Sequence, residues 1–162
     1  MVHKVSIMET PQNSIWGPEL WTILHSSAER IGSKALGRLP GEELRIWSTL
    51  LSSLRYSLPC PQCKKHYTDY FSTHPMPQWD KDTMRHWLYE LHQLVNQKTG
   101  KENTFTIEQV ELHYSQPFHF TRHVAIVRGQ MVAAIRLKWV ERIDMQRTMR
   151  ILEELKRFYD FF

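Results

Sequence analysis

A chain of 162 residues with 41% hydrophobic and 12% aromatic content can bury the core of one domain, which excludes a disordered polymer. Two cysteines are too few for a disulfide framework, so a bridge between them would be working chemistry. The net charge of +4 is confined to the C-terminal part, because residues 119–162 carry nine Lys/Arg against five Asp/Glu while residues 1–118 carry twelve of each.

Residues 1–15 contain Pro11, Asn13 and Ser14 without a sustained period and read as a loose leader, too polar for a secretory hydrophobic segment. No apolar run is long enough to span a bilayer, so a cytoplasmic protein is expected. Order is expected from Trp16. Gly17 and Pro18 predict a helix with proline at its first position, running to about Arg30, with Trp21 and His25 on one face beside Leu24 and Ala28. Residues 32–41 read as a connection. Glu42 and Glu43 then open a second helix, in which Leu44, Trp47, Leu51, Leu54 and Leu58 recur at spacings of three and four.

Both cysteines lie in Leu58-Pro59-Cys60-Pro61-Gln62-Cys63-Lys64-Lys65-His66-Tyr67. Pro59 discourages the preceding helix from continuing and Pro61 suits the first turn of a new one, so Cys60 is expected at a helix N-terminus, where free N–H groups and the dipole favour a thiolate. Cys63 follows one turn later, with His66 and Tyr67 on its face. The spacing allows a disulfide or a shared metal ion. His66 would be the third zinc ligand and His74 a fourth, although the spacing leaves that fourth position poorly placed. Two small buried side chains without chemistry are the third reading.

The CxxC helix is expected over about Pro61 to Phe71, contacting the core through Tyr67, Tyr70 and Phe71 and ended by His74-Pro75-Met76-Pro77. Asp80 and Asp82 precede another helix, whose buried stripe is Met84, Trp87, Leu88, Leu91 and Val95, with His92 and Asn96 beside it. Lys98 falls in its last turn and Gly100 suits the position after it. Thr106 with Gln109 predicts a capping box for a short helix through Tyr114, closed by Pro117. From about Val124 to Phe162 the pattern is helical, with Met131, Ile135, Trp139, Ile143, Met149, Leu152, Leu155 and Phe158 as its stripe and a break near Asp144. No repeat, strand alternation or glycine-rich phosphate loop is present, so the expected fold is all-α.

Taken singly, most of these residues have plain readings. Trp21 and His25 on an apolar face suit a core. Lys98 and Lys101 suit solvated charges at a helix end. The basic C-terminal segment suggests a nucleic-acid or membrane surface, but its charges are mixed with Glu141, Asp144, Glu153, Glu154 and Asp160 and its apolar content favours packing.

In combination, Gly17-x-x-x-Trp21-x-x-x-His25, Cys60-Pro61-Gln62-Cys63-x-x-His66-Tyr67 and His92-x-x-Val95-Asn96-x-Lys98-x-Gly100-Lys101 resemble the ERV/ALR family of FAD-linked sulfhydryl oxidases, nearest to the small forms encoded by large DNA viruses. The resemblance covers residues 16–116 and implies a four-helix bundle with a short fifth helix holding FAD beside the CxxC. It leaves residues 117–162 as a helical extension packed on the bundle or on a second subunit. It further implies that Cys63 is the sulfur next to the flavin and Cys60 the outer one, which exchanges with a substrate thiol. The implied cofactor-binding set is Gly17, Trp21, His25, His66, His92, Val95, Asn96, Lys98, Lys101 and Tyr114, with no metal ligand. Implied partners are a protein thiol, such as a thioredoxin-like or dithiol carrier, O2 as acceptor and a second copy in a homodimer, with no nucleic acid. For a viral protein the setting would be the host cytoplasm or the virion.

Several positions depart from the family pattern. Gln93 replaces a polar partner in the second block, Tyr114 stands where the family has tryptophan, and Arg30 with Ile31 replaces an aromatic at the end of the first helix. Cysteine is absent near Leu88, Tyr89 and Ile107, where a structural disulfide often joins the fourth and fifth helices, and no shuttle pair accompanies Cys60 and Cys63. The expected activity is oxidation of partner thiols to disulfides, with electrons passing through Cys60–Cys63 and FAD to O2 to give H2O2. The alternative is a zinc-binding interaction module built on Cys60, Cys63 and His66.

Overall fold

Helix punctuation accounts for much of the architecture. The structure, a computed structural model, describes residues 10–34, 37–39, 41–76, 80–102 and 105–162. The first nine residues of the expected leader and positions 35–36, 40, 77–79 and 103–104 of the expected connections lie outside the described residues. Among those described there are seven α-helices and no strand, so the fold is all-α as expected. In chain order they are α1 Asn13–Ala28, α2 Glu42–Ser57, α3 Pro61–Thr73, α4 Lys81–Thr99, α5 Ile107–Tyr114, α6 Phe120–Arg136 and α7 Arg142–Tyr159. The first four helices and the short α5 correspond to the expected bundle.

The first helix begins earlier than its local signals indicate. It opens at Asn13, so Pro18 lies inside it instead of at its first position, and it ends at Ala28 instead of Arg30. Proline there removes one intrahelical bond near the open end of the helix. Contacts distant in sequence offset that loss: Trp16 and Leu20 are buried, and the Gln12 N–H donates to Gln130 Oε1 on α6 at 2.6 Å.

Local caps fix the other boundaries. Asp80 Oδ1 accepts from the Thr83 N–H at 2.8 Å to start α4. At its other end Gly100 takes φ +73°, and the Lys101 N–H returns to the Asn96 carbonyl at 2.9 Å. Thr106 and Gln109 form both halves of the capping box that starts α5.

The C-terminal segment shares the core. α7 lies along α2 and α6 along α1, and buried side chains of α1, α2, α3, α4, α6 and α7 form one cluster. Trp47, with no exposed surface, donates to Tyr159 Oη at 2.9 Å. Thr148 donates to Ser57 Oγ at 2.7 Å and is 2.9 Å from Ser53 Oγ, so polar atoms buried between α2 and α7 satisfy one another.

This second neighbour explains where the predicted stripe of α2 fails. Leu44, expected inside, is 40% exposed, while Ile46, Leu50, Ser53 and Ser57 are buried because α2 is covered by α3 on one side and α7 on another. The C-terminal pattern is likewise shifted. α6 starts at Phe120, four residues before the expected Val124, with Phe120 stacked on Phe161 at 5.1 Å. The break comes at Leu137–Glu141, ahead of Asp144, through Lys138 at φ +63°, and Ile143 is 61% exposed.

Candidate active site

The dithiol is positioned by the start of α3. Cys60 is its N-cap and Pro61 its first residue, and Cys60 Sγ accepts from the Cys63 N–H at 3.2 Å. Both cysteines are free and half-buried. Burial pushes the Cys63 thiol up to about 12; the adjacent Cys60 adds to this, while a bond from Asn13 opposes it. The Asn13 amide lies 3.6 Å from Cys63 Sγ and 3.9 Å from Cys60 Sγ. Behind the pair, Tyr67 donates to the Leu51 carbonyl at 2.5 Å and Tyr70 to the Trp87 carbonyl at 2.9 Å, which fixes the roll of α3 on its neighbours.

Cys63 lies in the wall of a cavity of about 650 Å³ bounded by α1, α3 and α4. Gly17, Trp21, His66, His92, Val95, Asn96, Lys98, Lys101 and Tyr114 line the same space. The sequence-predicted residues are thus gathered in one place, with two exceptions. Cys60 lies outside the lining at the helix start, and His25 stands behind it, buried, with its Nε2 3.1 Å from His92 Nδ1. Leu20, Leu24, Leu54, Leu58 and Leu91 supply apolar surface, and Lys98 and Lys101 are exposed. A second concavity, of about 500 Å³, lies between α2 and α7 and is lined by Ser48, Ser52, Arg55, Tyr56, Asp144 and Arg147. It contains neither cysteine.

Aromatic rings build one wall of the main cavity. Trp21 stacks on His92 with centroids 3.9 Å apart, and Tyr114 stacks on His25 at 4.5 Å. Tyr114 is held there by the residue that replaced the expected aromatic. Arg30 donates to the carbonyls of Tyr114 at 2.7 Å and Gln116 at 2.9 Å, satisfying acceptors at the end of α5. The missing α4–α5 disulfide has a noncovalent counterpart. Arg85 of α4 forms a buried pair with Glu29 at 2.8 Å and reaches Glu111 of α5 at 3.3 Å, while Tyr89 donates to the Phe105 carbonyl at 3.2 Å. Gln93, the altered position of the second block, does not line the cavity, and its Oε1 is buried without a partner.

Burial holds His25 down to about 3, with the nearby His92 and His113 adding to the effect. Burial likewise lowers His92 to about 4, assisted by the Lys101 charge. Both rings are therefore neutral at pH 7, one donating and the other accepting in their shared bond. An unfolded histidine binds its proton near pH 6.5, so on acidification the unfolded state takes up protons first. The stability that these rings contribute is complete above that pH and declines as the pH falls toward their folded values, by on the order of 1 kcal/mol per pH unit for each ring. The melting temperature is expected to fall between pH 7 and pH 5, with a shallower slope in His25→Gln. Equal slopes would contradict the neutral pair.

Among the described residues no group of three or more His, Cys, Asp or Glu is arranged to hold a metal ion. No described helix is long and apolar enough to cross a membrane. Asn13 and Trp16 line the cavity although the sequence reading placed them in the leader or at its edge. The four-residue spacing of Trp16 and Leu20 is the signal that would have extended the helix toward them.

The chain is 29% identical over 99 residues to a probable FAD-linked sulfhydryl oxidase of Acanthamoeba polyphaga mimivirus, a match covering 59% of this chain and 66% of the relative. No solved structure matches the chain. The Erv1 / Alr family profile matches residues 18–115, which run from the first wall of the cavity through the dithiol to the residue after Tyr114. With a profile spanning more than half its length, the chain belongs to the Erv1 / Alr family.

Proposed function

We propose that the protein is an FAD-linked thiol oxidase that forms disulfides in partner proteins. The observation that carries this reading is a dithiol with one sulfur in the wall of an aromatic-lined cavity and the other at its edge. The cavity suits the cofactor in chemistry: flat rings of Trp21, His92 and Tyr114 for a planar heterocycle, leucines for its apolar face, and Lys98 and Lys101 for phosphates. Asn96 is a buried polar side chain in that wall, the kind of group that orients a ligand in an otherwise apolar pocket. The absence of a glycine-rich dinucleotide fingerprint is consistent with a site between the helices of a bundle.

In this reading Gly17, Trp21, His25, His66, His92, Val95, Asn96, Lys98, Lys101 and Tyr114 hold the cofactor, within a unit of residues 16–116 to which 117–162 is appended. FAD, when bound, supplies a two-electron carrier that O2 can reoxidise to give H2O2. The protein's own step is thiol–disulfide exchange. A partner thiolate attacks Cys60 Sγ of the oxidised pair, the Cys60–Cys63 bond breaks, and the electron pair goes to Cys63 as a thiolate. The partner's second thiolate then attacks its own sulfur in the mixed disulfide, releasing Cys60 and leaving the partner oxidised. Cys63 is the leaving sulfur because it faces the cavity, and Cys60 the attacked one because it stands at its edge.

The test is oxygen uptake with a small dithiol and with a reduced thioredoxin-like protein. Stoichiometric peroxide formation supports the reading, and no uptake by the flavin-loaded protein contradicts it. We extend the reading to a homodimer, for which Leu94 and Leu112, exposed on the neighbouring α4 and α5, supply apolar surface that a second copy would cover. Sedimentation as a monomer would remove that extension.

A further inference from the structure

Asn13 precedes the residues that the family profile matches, yet its side chain meets both sulfurs. The orientation of its amide is settled by a third contact. The indole Nε1–H of Trp16 donates and cannot accept, so the atom 3.1 Å from it is Asn13 Oδ1, and the NH2 group is the one turned to the cysteines. Its distance to Cys63 Sγ, 3.6 Å, is that of an N–H···S hydrogen bond, and 3.9 Å to Cys60 Sγ is a weaker approach. The placement is built into the fold: Trp16 is buried, and the backbone just before Asn13 is tied to Gln130 of α6. Asn13 is also the first residue of α1, as Cys60 is the N-cap of α3, so two helix N-termini converge on the sulfur pair.

We propose that Asn13 is a catalytic residue of the thiol–disulfide exchange, its Nδ2–H donating to Cys63 Sγ and stabilising the thiolate released there when a partner attacks Cys60. The proposal rests on the thiol-oxidase reading for its physiological role, but the interaction itself involves protein atoms alone. In the oxidised pair Cys63 sulfur carries no charge. As the partner sulfur bonds to Cys60 and the Cys60–Cys63 bond breaks, a full negative charge develops on a sulfur that burial makes a poor home for charge. In the free-thiol pair, the state this step produces, the amide is aimed at that atom, where a charged acceptor strengthens the bond. Cys60 Sγ has the Cys63 N–H as its own donor, whereas Cys63 Sγ has Asn13.

The test uses two substitutions with different structural consequences. Asn13→Asp keeps an acceptor for Trp16 and nearly the same volume while replacing the donor by a carboxylate. Asn13→Leu removes donor and acceptor together. Each is combined with Cys60→Ser, which leaves Cys63 as a lone thiol, and alkylation of Cys63 by iodoacetamide is followed by mass spectrometry as a function of pH. Thiolate formation is expected to move up by about one pH unit in both variants, so that alkylation at fixed pH is about tenfold slower, with the larger effect in Asp. In the protein with both cysteines, reduction of the oxidised pair by a small thiolate is expected to slow about tenfold as well. An unchanged profile in Leu would overturn the proposal whatever Asp does, because a carboxylate beside Cys63 raises its titration by repulsion even where the asparagine is merely structural. Absence of FAD and of oxygen uptake in the unsubstituted protein would defeat the oxidase reading while leaving the alkylation result intact, so the two failures are separable.

Discussion

Cys63→Ser is expected to reduce dithiol oxidation by roughly three orders of magnitude or more while leaving the protein folded and FAD bound, because a group that forms and breaks the reacting bond has no substitute in this chain. The two cysteines are the only thiols in the sequence, and Cys63 is the one in the cavity wall. Its stability cost should be small, within about 1 kcal/mol, since the side chain is half-buried and serine is of similar size. Cys60→Ser should be equally inactive, for the different reason that the partner thiolate then has no disulfide to attack. Oxygen uptake with a dithiol, measured beside flavin content and melting temperature, separates lost chemistry from lost structure. Either variant retaining turnover at a tenth of the starting rate would show that electrons enter by another route.

Truncation after Pro117 is expected to give a chain that does not fold. Residues beyond that point contribute Phe120, Val127, Met131, Met145, Leu152, Leu155 and Phe158 to the common core, each buried. Without them the faces of α1 and α2 that α6 and α7 cover would be left open to water. Removal also leaves the Trp47 indole without Tyr159 and the hydroxyls of Ser53 and Ser57 without Thr148. The effect reaches the site, since Lys64 of the CxxC helix donates to the Trp139 carbonyl and Gln130 holds the backbone before Asn13. Circular dichroism and urea unfolding of the shortened chain are the measurements. A cooperative transition with retained FAD would show that the bundle stands without α6 and α7.

The parts of the fold legible in the sequence are those decided by neighbours within one helical turn. Asp80, Gly100 and the Thr106–Gln109 pair announced the ends of α4 and α5, and Pro59 and Pro61 announced the start of α3 at Cys60, because capping is a contest between side chain and backbone over three or four residues. What escaped depended on partners far along the chain. Pro18 resembled a first-turn proline and outweighed the Trp16–Leu20 spacing around it, and the bond from Gln130 that holds the earlier start lies far along the chain. Leu44 and Ile143 had the right spacing and the wrong side, since periodicity defines a stripe but not how many helices cover it. The break at Lys138 uses a left-handed residue without glycine, so it carried no local mark.

The candidate site was legible through its three blocks, which reported residue types brought together by the bundle. Its supports were not. Arg30 read as a departure from the family pattern and proves to hold Tyr114 over His25, and Asn13 read as leader although it meets the sulfurs. Each acts through a few polar contacts to residues distant in sequence, and a period places a residue on a helix face without naming the partner it meets there.

The most direct test of the proposed activity is the visible absorption spectrum of the purified protein together with its cofactor and metal content. A yellow protein carrying equimolar FAD, lost together with thermal stability in Trp21→Ala or Lys101→Ala because a ligand bound to the native state stabilises it by mass action, is the expected result. Colourless protein carrying equimolar zinc would contradict the oxidase and return Cys60, Cys63 and His66 to metal binding.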